Sequence, residues 1–336
     1  MTVLITGGAG YIGSHTCVEL IRHGHAVVIY DNLGNSHQEV LNRIHRITGV
    51  MPVLVIGDVR DHDRLVATLQ DHRCDAVIHF AGLKSVAESV SHPALYYDNN
   101  FVGALKLVEA MLQADVRRLV FSSSATVYGE PLSLPLREDH PLSPLNPYGR
   151  TKRMVEEMLS DVVASPDTLR VAILRYFNPV GAHESGLIGE DPHGVPNNLM
   201  PFVSQVAVGR RASLKVFGND YDTPDGTGVR DYVHVTDLAI GHLRALERLE
   251  TNDFFTVNLG TGRGSSVLEI VHAFAGASGC EIPVEFAPRR AGDTASYYAC
   301  PALARSLLGW QATRTLDDIC RDAWNWQRQN PDGYRR

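Results

Sequence analysis

The chain has 336 residues, 44% of them hydrophobic and 21% charged, with a formal net charge of −7. That length is long for one compact domain and suggests about two units, each able to bury a core. The acidic balance, without runs of like charge, argues against a nucleic-acid surface, and no apolar stretch approaches the roughly 18 residues of a membrane span.

Strand and helix patterns alternate through the first half. The runs "TVLIT" (2–6), "AVVIY" (26–30), "PVLVIGD" (52–58), "AVIHFAG" (76–82), "RLVFSSS" (118–124) and "RVAILRY" (170–176) read as strands buried on both faces. Helical periodicity falls near 12–23, 37–48, 61–71, 100–114 and 150–164. Such alternation predicts right-handed crossovers and a doubly wound parallel α/β sheet of Rossmann type. From about residue 177 the texture changes. Loop compositions rich in Gly, Pro, Asn and Asp separate short strands ("SLKVFG", "TVNLG", "PVEFAP") and helices at 199–210, 235–249, 266–276 and 314–327. The expected layout is a nucleotide domain over 1–176 and a smaller mixed α/β substrate domain over 177–336, with some interdigitation of the chain and a site between them.

Five widely spaced cysteines without a C-x-x-C suit a reducing compartment, with neither a disulfide framework nor a structural zinc. No basic and apolar leader precedes the first strand, so the expectation is a soluble, cytoplasmic protein. The 15 histidines form no H-E-x-x-H or similar cluster, and structural or incidental roles are expected for them rather than metal ligation.

Gly7, Gly10 and Gly13 fall at the turn from the first strand to the first helix. Glycines there let the backbone approach a pyrophosphate, whose charge then sits at the helix N-terminus. Asp31 ends the next strand, where a carboxylate accepts from ribose hydroxyls and repels a 2′-phosphate, favouring NAD over NADP. Asp58 and Val59 close the third strand; Asp58 could meet an adenine amine or simply cap the next helix. Phe80, Ala81 and Gly82 end the fourth strand beside the presumed cofactor, and Lys84 could reach its phosphates or ribose or be merely solvated.

Asn146 can cap the following helix and Pro147 suits its first turn. Tyr148 and Lys152 then stand four residues apart on one helix face. Alone they are an ordinary i, i+4 pair. With the glycine loop, Asp31 and Ser124 at the end of the fifth strand, they read as hardware for removing an alcohol proton while its hydride moves to NAD. An ammonium beside the phenol favours its ionised form, as does an oxidised nicotinamide, and Ser124 could hold the substrate oxygen.

These residues resemble the extended short-chain dehydrogenase/reductase superfamily. Longer blocks, including "YDNLGNS", "LRYFNPVGAH", "GEDPHGVPNNLMP" and "FGNDYDTPDGTGVRDYVHV", resemble the UDP-glucose 4-epimerase family over nearly the whole chain. The resemblance implies reversible C4 epimerisation of UDP-glucose and UDP-galactose through a 4-keto sugar, as in galactose metabolism. It also implies a tightly held NAD and a homodimer paired through the helices at 100–114 and 150–164. It assigns catalysis to Ser124, Tyr148 and Lys152. Cofactor contacts are implied from Gly7, Gly10, Tyr11, Ile12 and Gly13; from Asp31, Asn32, Leu33, Gly34, Asn35 and Ser36; from Asp58, Val59, Phe80, Ala81, Gly82, Lys84 and Asn99; and from Ser124, Tyr148, Lys152 and Phe177. The substrate set comprises Ser124, Tyr148, Asn178, Asn198, Leu199, Lys215, Val216, Phe217, Arg230, Arg290, Asp293 and Tyr297. Arg230 and Arg290 are suitable forks for a diphosphate in any case. By the same resemblance a bulky Tyr297, with Tyr298 next to it, limits the hexose pocket and disfavours N-acetylhexosamines. A sugar-nucleotide 4,6-dehydratase would need an Asp–Glu pair where this chain has Ala125 and Thr126. A non-catalytic NAD-sensing module would have no use for Ser124, Tyr148 and Lys152.

Overall fold

The computed structural model describes residues 1–166, 169–194, 196, 198–290 and 292–334. In chain order the first half contains β1 (Thr2–Thr6), α1 (Tyr11–Arg22), β2 (Ala26–Asp31), α2 (Glu39–Thr48), β3 (Val53–Ile56), α3 (His62–Asp71) and β4 (Ala76–His79). Next come α4 (Val86–Ser91), α5 (Pro93–Tyr96), a π-helical turn (Tyr97–Val102), α6 (Gly103–Gln113), β5 (Arg118–Ser124), α7 (Pro147–Ala164) and β6 (Arg170–Tyr176). The remainder comprises β7 (Asn178–Val180), α8 (Leu199–Ala207), β8 (Leu214–Phe217), β9 (Val229–Arg230), β10 (Tyr232–His234), α9 (Val235–Arg248) and β11 (Phe254–Leu259). It ends with β12 (Ser265–Ser266), α10 (Val267–Ser278), β13 (Val284–Ala287), β14 (Ser296–Tyr297), α11 (Ala302–Leu308) and α12 (Leu316–Gln329).

Seven parallel strands form the main sheet in the order β11-β6-β5-β4-β1-β2-β3. Strand side chains alternate between faces. Val3 and Ile5 accordingly join the core shared with α1, α2 and α9, whereas Leu4 joins the opposite core with α3, α6 and α7. The strand order reverses between β1 and β4, and the crevice at the carboxyl ends of those strands is where ligands of such sheets bind. The Rossmann-type sheet expected from the alternation is thus observed.

Three details differ from the sequence reading. β3 is shorter than 52–58 and is not buried on both faces, because it lies at the sheet edge with Val53 and Ile56 exposed. The segment around "TVNLG" becomes β11 and pairs in parallel with β6, so residues well beyond 177 complete the first sheet. Finally, the helix expected at 100–114 is entered through the π-helical turn at Tyr97.

Residues outside this sheet build a second core from α8, α10, α12, β8 and β10. A small cluster of Ala125, Val127, Tyr128, Leu136, Phe177 and Ala299 joins the end of β5 to the segment after β14.

Candidate active site

A cavity of about 470 Å³ opens at the carboxyl ends of β1 and β4. Its floor is the turn from β1 to α1. Gly7 has φ +69° and lies so close to the fourth-strand segment that a Cβ would come within 2.8 Å of Ala81 N; a Cβ on Gly13 would run into the Gly7 carbonyl. Only glycine lets the backbone pack this way, and the resulting α1 N-terminus faces the cavity as an anion cradle would require. Asp31, buried at the end of β2, accepts from Ala9 N at 3.0 Å, from Leu33 N at 2.9 Å and from the Ser36 hydroxyl at 2.9 Å. One carboxylate therefore ties the glycine turn to the β2–α2 loop.

Most of the expected cofactor residues line this cavity: Gly7, Gly10, Tyr11, Ile12, Gly13, Asp31, Asn32, Gly34, Asn35, Ser36, Val59, Phe80, Ala81, Gly82, Lys84, Asn99, Tyr148 and Lys152. Leu33, Asp58, Ser124 and Phe177 do not. Leu33 takes a left-handed backbone (φ 57°) and its side chain packs against the core beneath α1 and α2. Asp58 neither lines the cavity nor caps α3. Its carboxylate grips Arg60, which also reaches Asp98, while Asp61 supplies the helix cap. Phe177 is buried against Tyr297, with ring centroids 5.8 Å apart. Lys84 is paired with Glu190 at 2.9 Å rather than free in solvent.

On the other wall stand two of the three residues expected to do chemistry, Tyr148 and Lys152, with Ser124 next to Tyr148. Asn146 Oδ1 accepts from Gly149 N at 2.9 Å and Pro147 occupies the first turn, so α7 starts where its cap dictates. This sets Tyr148 and Lys152 one turn apart at the sheet edge, both buried, beside Ser124 at the end of β5. The Tyr148 phenol is pushed well above its ordinary value, first by burial and then by Tyr176, while a hydrogen bond with Ser124 pulls it back. Lys152 also has a partner on the sheet. Its ammonium donates to the Ser122 carbonyl at 2.8 Å and sits 4.8 Å from the Phe121 ring centroid. Burial draws Lys152 down to about 8, with Glu156 opposing that fall. Without a charged ligand beside it, Tyr148 is a protonated phenol, because a buried phenolate lacks the solvation that would stabilise it.

The substrate-side residues cluster on β7, β8, β9, the start of α8 and the segment before β14. Arg290 donates to Asp293 at 2.8 Å and lies over the Phe217 ring at 4.9 Å; Arg230 reaches the same carboxylate at 4.0 Å. Asn198 donates to Glu190 at 2.8 Å, which joins it to Lys84. Asn178 begins β7, Leu199 begins α8 and Lys215 is exposed on β8. Val216 is buried in the second core and can offer a ligand only its backbone. The Tyr297 hydroxyl donates to the carbonyl of Ala125, next to Ser124, at 2.7 Å.

Several contributors carried no recognisable signal in the sequence. Asn100, in the π-helical turn, accepts from Leu83 N at 2.8 Å and donates to the Leu83 carbonyl at 2.9 Å, fixing the loop after β4. π-Turns interrupt helices at functional sites for this kind of reach. Tyr176 lines the cavity next to Tyr148. The segment Gly189–His193 crosses the cavity mouth, held through Glu190 to Lys84 and through His193 to Asn35. It lies within a quoted block, but nothing in its spacing announces a cofactor contact.

A model of the NAD dependent epimerase/dehydratase family matches residues 3–260. The chain belongs to that family. Within it, the chain is 54% identical to a UDP-glucose 4-epimerase of Bacillus subtilis (strain 168), with 100% of this chain and 99% of the relative covered. Its fold is similar to a UDP-glucose 4-epimerase structure from Stenotrophomonas maltophila holding NAD and formylated UDP-arabinopyranose, with TM-score 0.97 and 53% identity. That match covers 98% of this chain and 99% of the other. A Bifidobacterium longum UDP-glucose 4-epimerase with NAD+ and UDP matches with TM-score 0.96 and 49% identity, covering 99% and 100% of the two chains. The NAD dependent epimerase/dehydratase sheet, with its switch-point crevice, is therefore the setting for the cavity and for Ser124, Tyr148 and Lys152.

Proposed function

We infer that this chain interconverts UDP-glucose and UDP-galactose at C4 through a 4-keto sugar, with NAD as its cofactor. One observation carries the reading: Tyr148 and Lys152 line a cavity whose glycine floor and Asp31 suit NAD, and Ser124 at the end of β5 hydrogen-bonds that Tyr148. When bound, NAD supplies a hydride acceptor and donor at the sugar carbon.

The chain's own part is to manage a proton. Tyr148 receives the proton of the sugar 4-hydroxyl and later returns it, so the same phenol serves as base and then as acid. Ser124 shares its hydrogen bond with that oxygen and orients it. Lys152 contributes positive charge, and a cationic nicotinamide adds to it, offsetting the burial that otherwise holds Tyr148 protonated. Burial also keeps the exchanged proton from solvent.

For inversion, the keto sugar must present its other face while the nucleotide stays in place. Arg230 and Arg290 as diphosphate forks, with Phe217, Lys215, Asn178, Asn198 and the backbone around Leu199 and Val216, suit the handle. Asp293 aligns the two arginines. Tyr297 and Phe177 bound the space left for the hexose, and Tyr297 is the residue that limits its size. On a division of the chain near residue 176, the handle belongs to the second unit and the chemistry to the first, with β11 returning to complete the first sheet.

A second copy of the chain fits the half-exposed apolar stripe of Phe101, Leu105 and Leu112 with Met154, Met158 and Val162 on the neighbouring helix. We assign the protein to a homodimer on that surface and to the cytoplasm, in keeping with five free cysteines. Mass in solution checks the dimer. The activity is tested by incubating the purified protein with UDP-galactose and UDP-N-acetylgalactosamine side by side, with no NAD added. UDP-glucose should appear, with much less turnover of the N-acetylated sugar; no UDP-glucose even after NAD is supplied would refute the assignment.

A further inference from the structure

We propose that Glu156 is a positioning residue for the reaction, holding Lys152 in its charged form beneath Tyr148. Lys152 and Glu156 are four residues apart on α7, hence on one face of the helix, and both are buried. A buried ammonium is costly unless an opposite charge and hydrogen bonds compensate it. Among the described residues its hydrogen-bond partner is a neutral one, the Ser122 carbonyl.

The groups facing Lys152 can be taken element by element. On α7 they are Tyr148 and Glu156. On β4, His79 is buried, drawn down to about 3 chiefly by burial and further by Lys152 itself, and is neutral at working pH. On β6, Tyr176 is a half-buried phenol, and Arg175 is paired with Glu156. On β5 the neighbours are uncharged serines and Phe121. On the elements between β4 and α6, Glu88 is bound by the Tyr96 hydroxyl at 2.7 Å and Asp98 by Arg60; Glu156, one turn along α7 from Lys152, is the carboxylate whose charge opposes the effect of burial on it.

Glu156 is held in place as an acceptor on both of its oxygens. Arg175 on β6 reaches Oε2 through Nη2 at 2.7 Å and spans both oxygens through Nε at 3.1 and 3.2 Å. The Ser123 hydroxyl, one residue before Ser124, donates to Oε1 at 2.5 Å. Arg175 in turn donates to Tyr128 and to the Glu138 carbonyl. The carboxylate therefore sits between the ammonium that tunes the catalytic phenol and a network running from β5 through β6.

The inference rests on the role given above to Lys152, and the test separates the two. The pH dependence of kcat with UDP-galactose should fall along an alkaline limb as Lys152 loses its proton. Glu156→Gln should move that limb about one pH unit towards acid, a fall in kcat of about fivefold at the wild-type midpoint that approaches about tenfold a unit or more above it, with KM little changed. Glu156→Asp should restore most of the shift. Arg175→Lys loosens the fork but leaves the carboxylate charged; it should lower the melting temperature without moving the limb. If Glu156→Gln does not fold, Glu156→Gln/Arg175→Gln, which removes both buried charges, should show the same acid shift. An unmoved limb in Glu156→Gln or the double variant, or an equal shift in Arg175→Lys, overturns the proposal. A Lys152→Met enzyme with normal kcat and the wild-type limb would instead overturn the role of Lys152.

Discussion

The two sides of the cavity are built differently. On the cofactor side three polar groups are buried and already committed: Asp31 holds three donors, Asn100 clamps Leu83, and Glu156 is locked to Arg175. On the substrate side the groups stand open. Phe217 is 38% exposed, and the Arg290 side chain is 59% exposed although paired with Asp293. A preorganised wall suits a cofactor that stays in place through every turnover, since little ordering remains to be done on binding. An open wall with movable ion pairs suits a substrate that must enter, swing and leave.

Substitutions on the first wall should be the more damaging. Tyr148→Phe removes the proton acceptor and donor while keeping the ring. kcat should drop by about 1,000-fold or more, within the usual reach of acid–base catalysis, and the melting temperature should barely change. Asp31→Ala frees three donors of the glycine turn and the β2–α2 loop. At about 1.5 kcal/mol for each of two hydrogen bonds that matter to the bound ribose, NAD retention should weaken roughly 100-fold, measured as cofactor left after gel filtration. Across the cavity, Arg290→Ala should raise KM for UDP-galactose about tenfold with kcat nearly unchanged, the mark of lost uniform binding. An Arg290→Ala effect as large as that of Asp31→Ala would break the contrast between the walls. Smallest is Tyr297→Cys, which loses the hydrogen bond to Ala125 and the Phe177 contact. It should cost about 1–2 kcal/mol of stability and gain measurable turnover of UDP-N-acetylglucosamine; no gain would remove Tyr297 as the size limit.

Local pattern made the first wall legible and left the second mostly to resemblance. β1, β5 and β6 begin and end where their apolar runs do, because a central parallel strand is buried on both faces and leaves a continuous signal. β3 came out shorter than its run because an edge strand needs burial on neither end. Glycine loop, Asp31 and the capped Tyr148–Lys152 helix were readable since each depends on neighbours within a few residues. β11 was not, because its pairing with β6 joins segments some 80 residues apart and no periodicity encodes a partner. The same holds for Asn100 on Leu83, for the segment across the cavity mouth and for Glu156 on Arg175. Helix periodicity said which face Glu156 shares with Lys152 but not what lay opposite. What burial does to Tyr148 and Lys152 was unreadable for a related reason. Spacing brings a phenol and an ammonium to one face, but burial and the Ser122 carbonyl decide what each does there.

The central claim is that hydride and proton both remain in the site while C4 inverts. UDP-galactose converted in deuterated water, with no NAD added, should yield UDP-glucose carrying hydrogen and no deuterium at C4, as read by NMR. Deuterium at C4 in the product would contradict it, because the C4 hydrogen would then have exchanged as a proton rather than moved as a hydride.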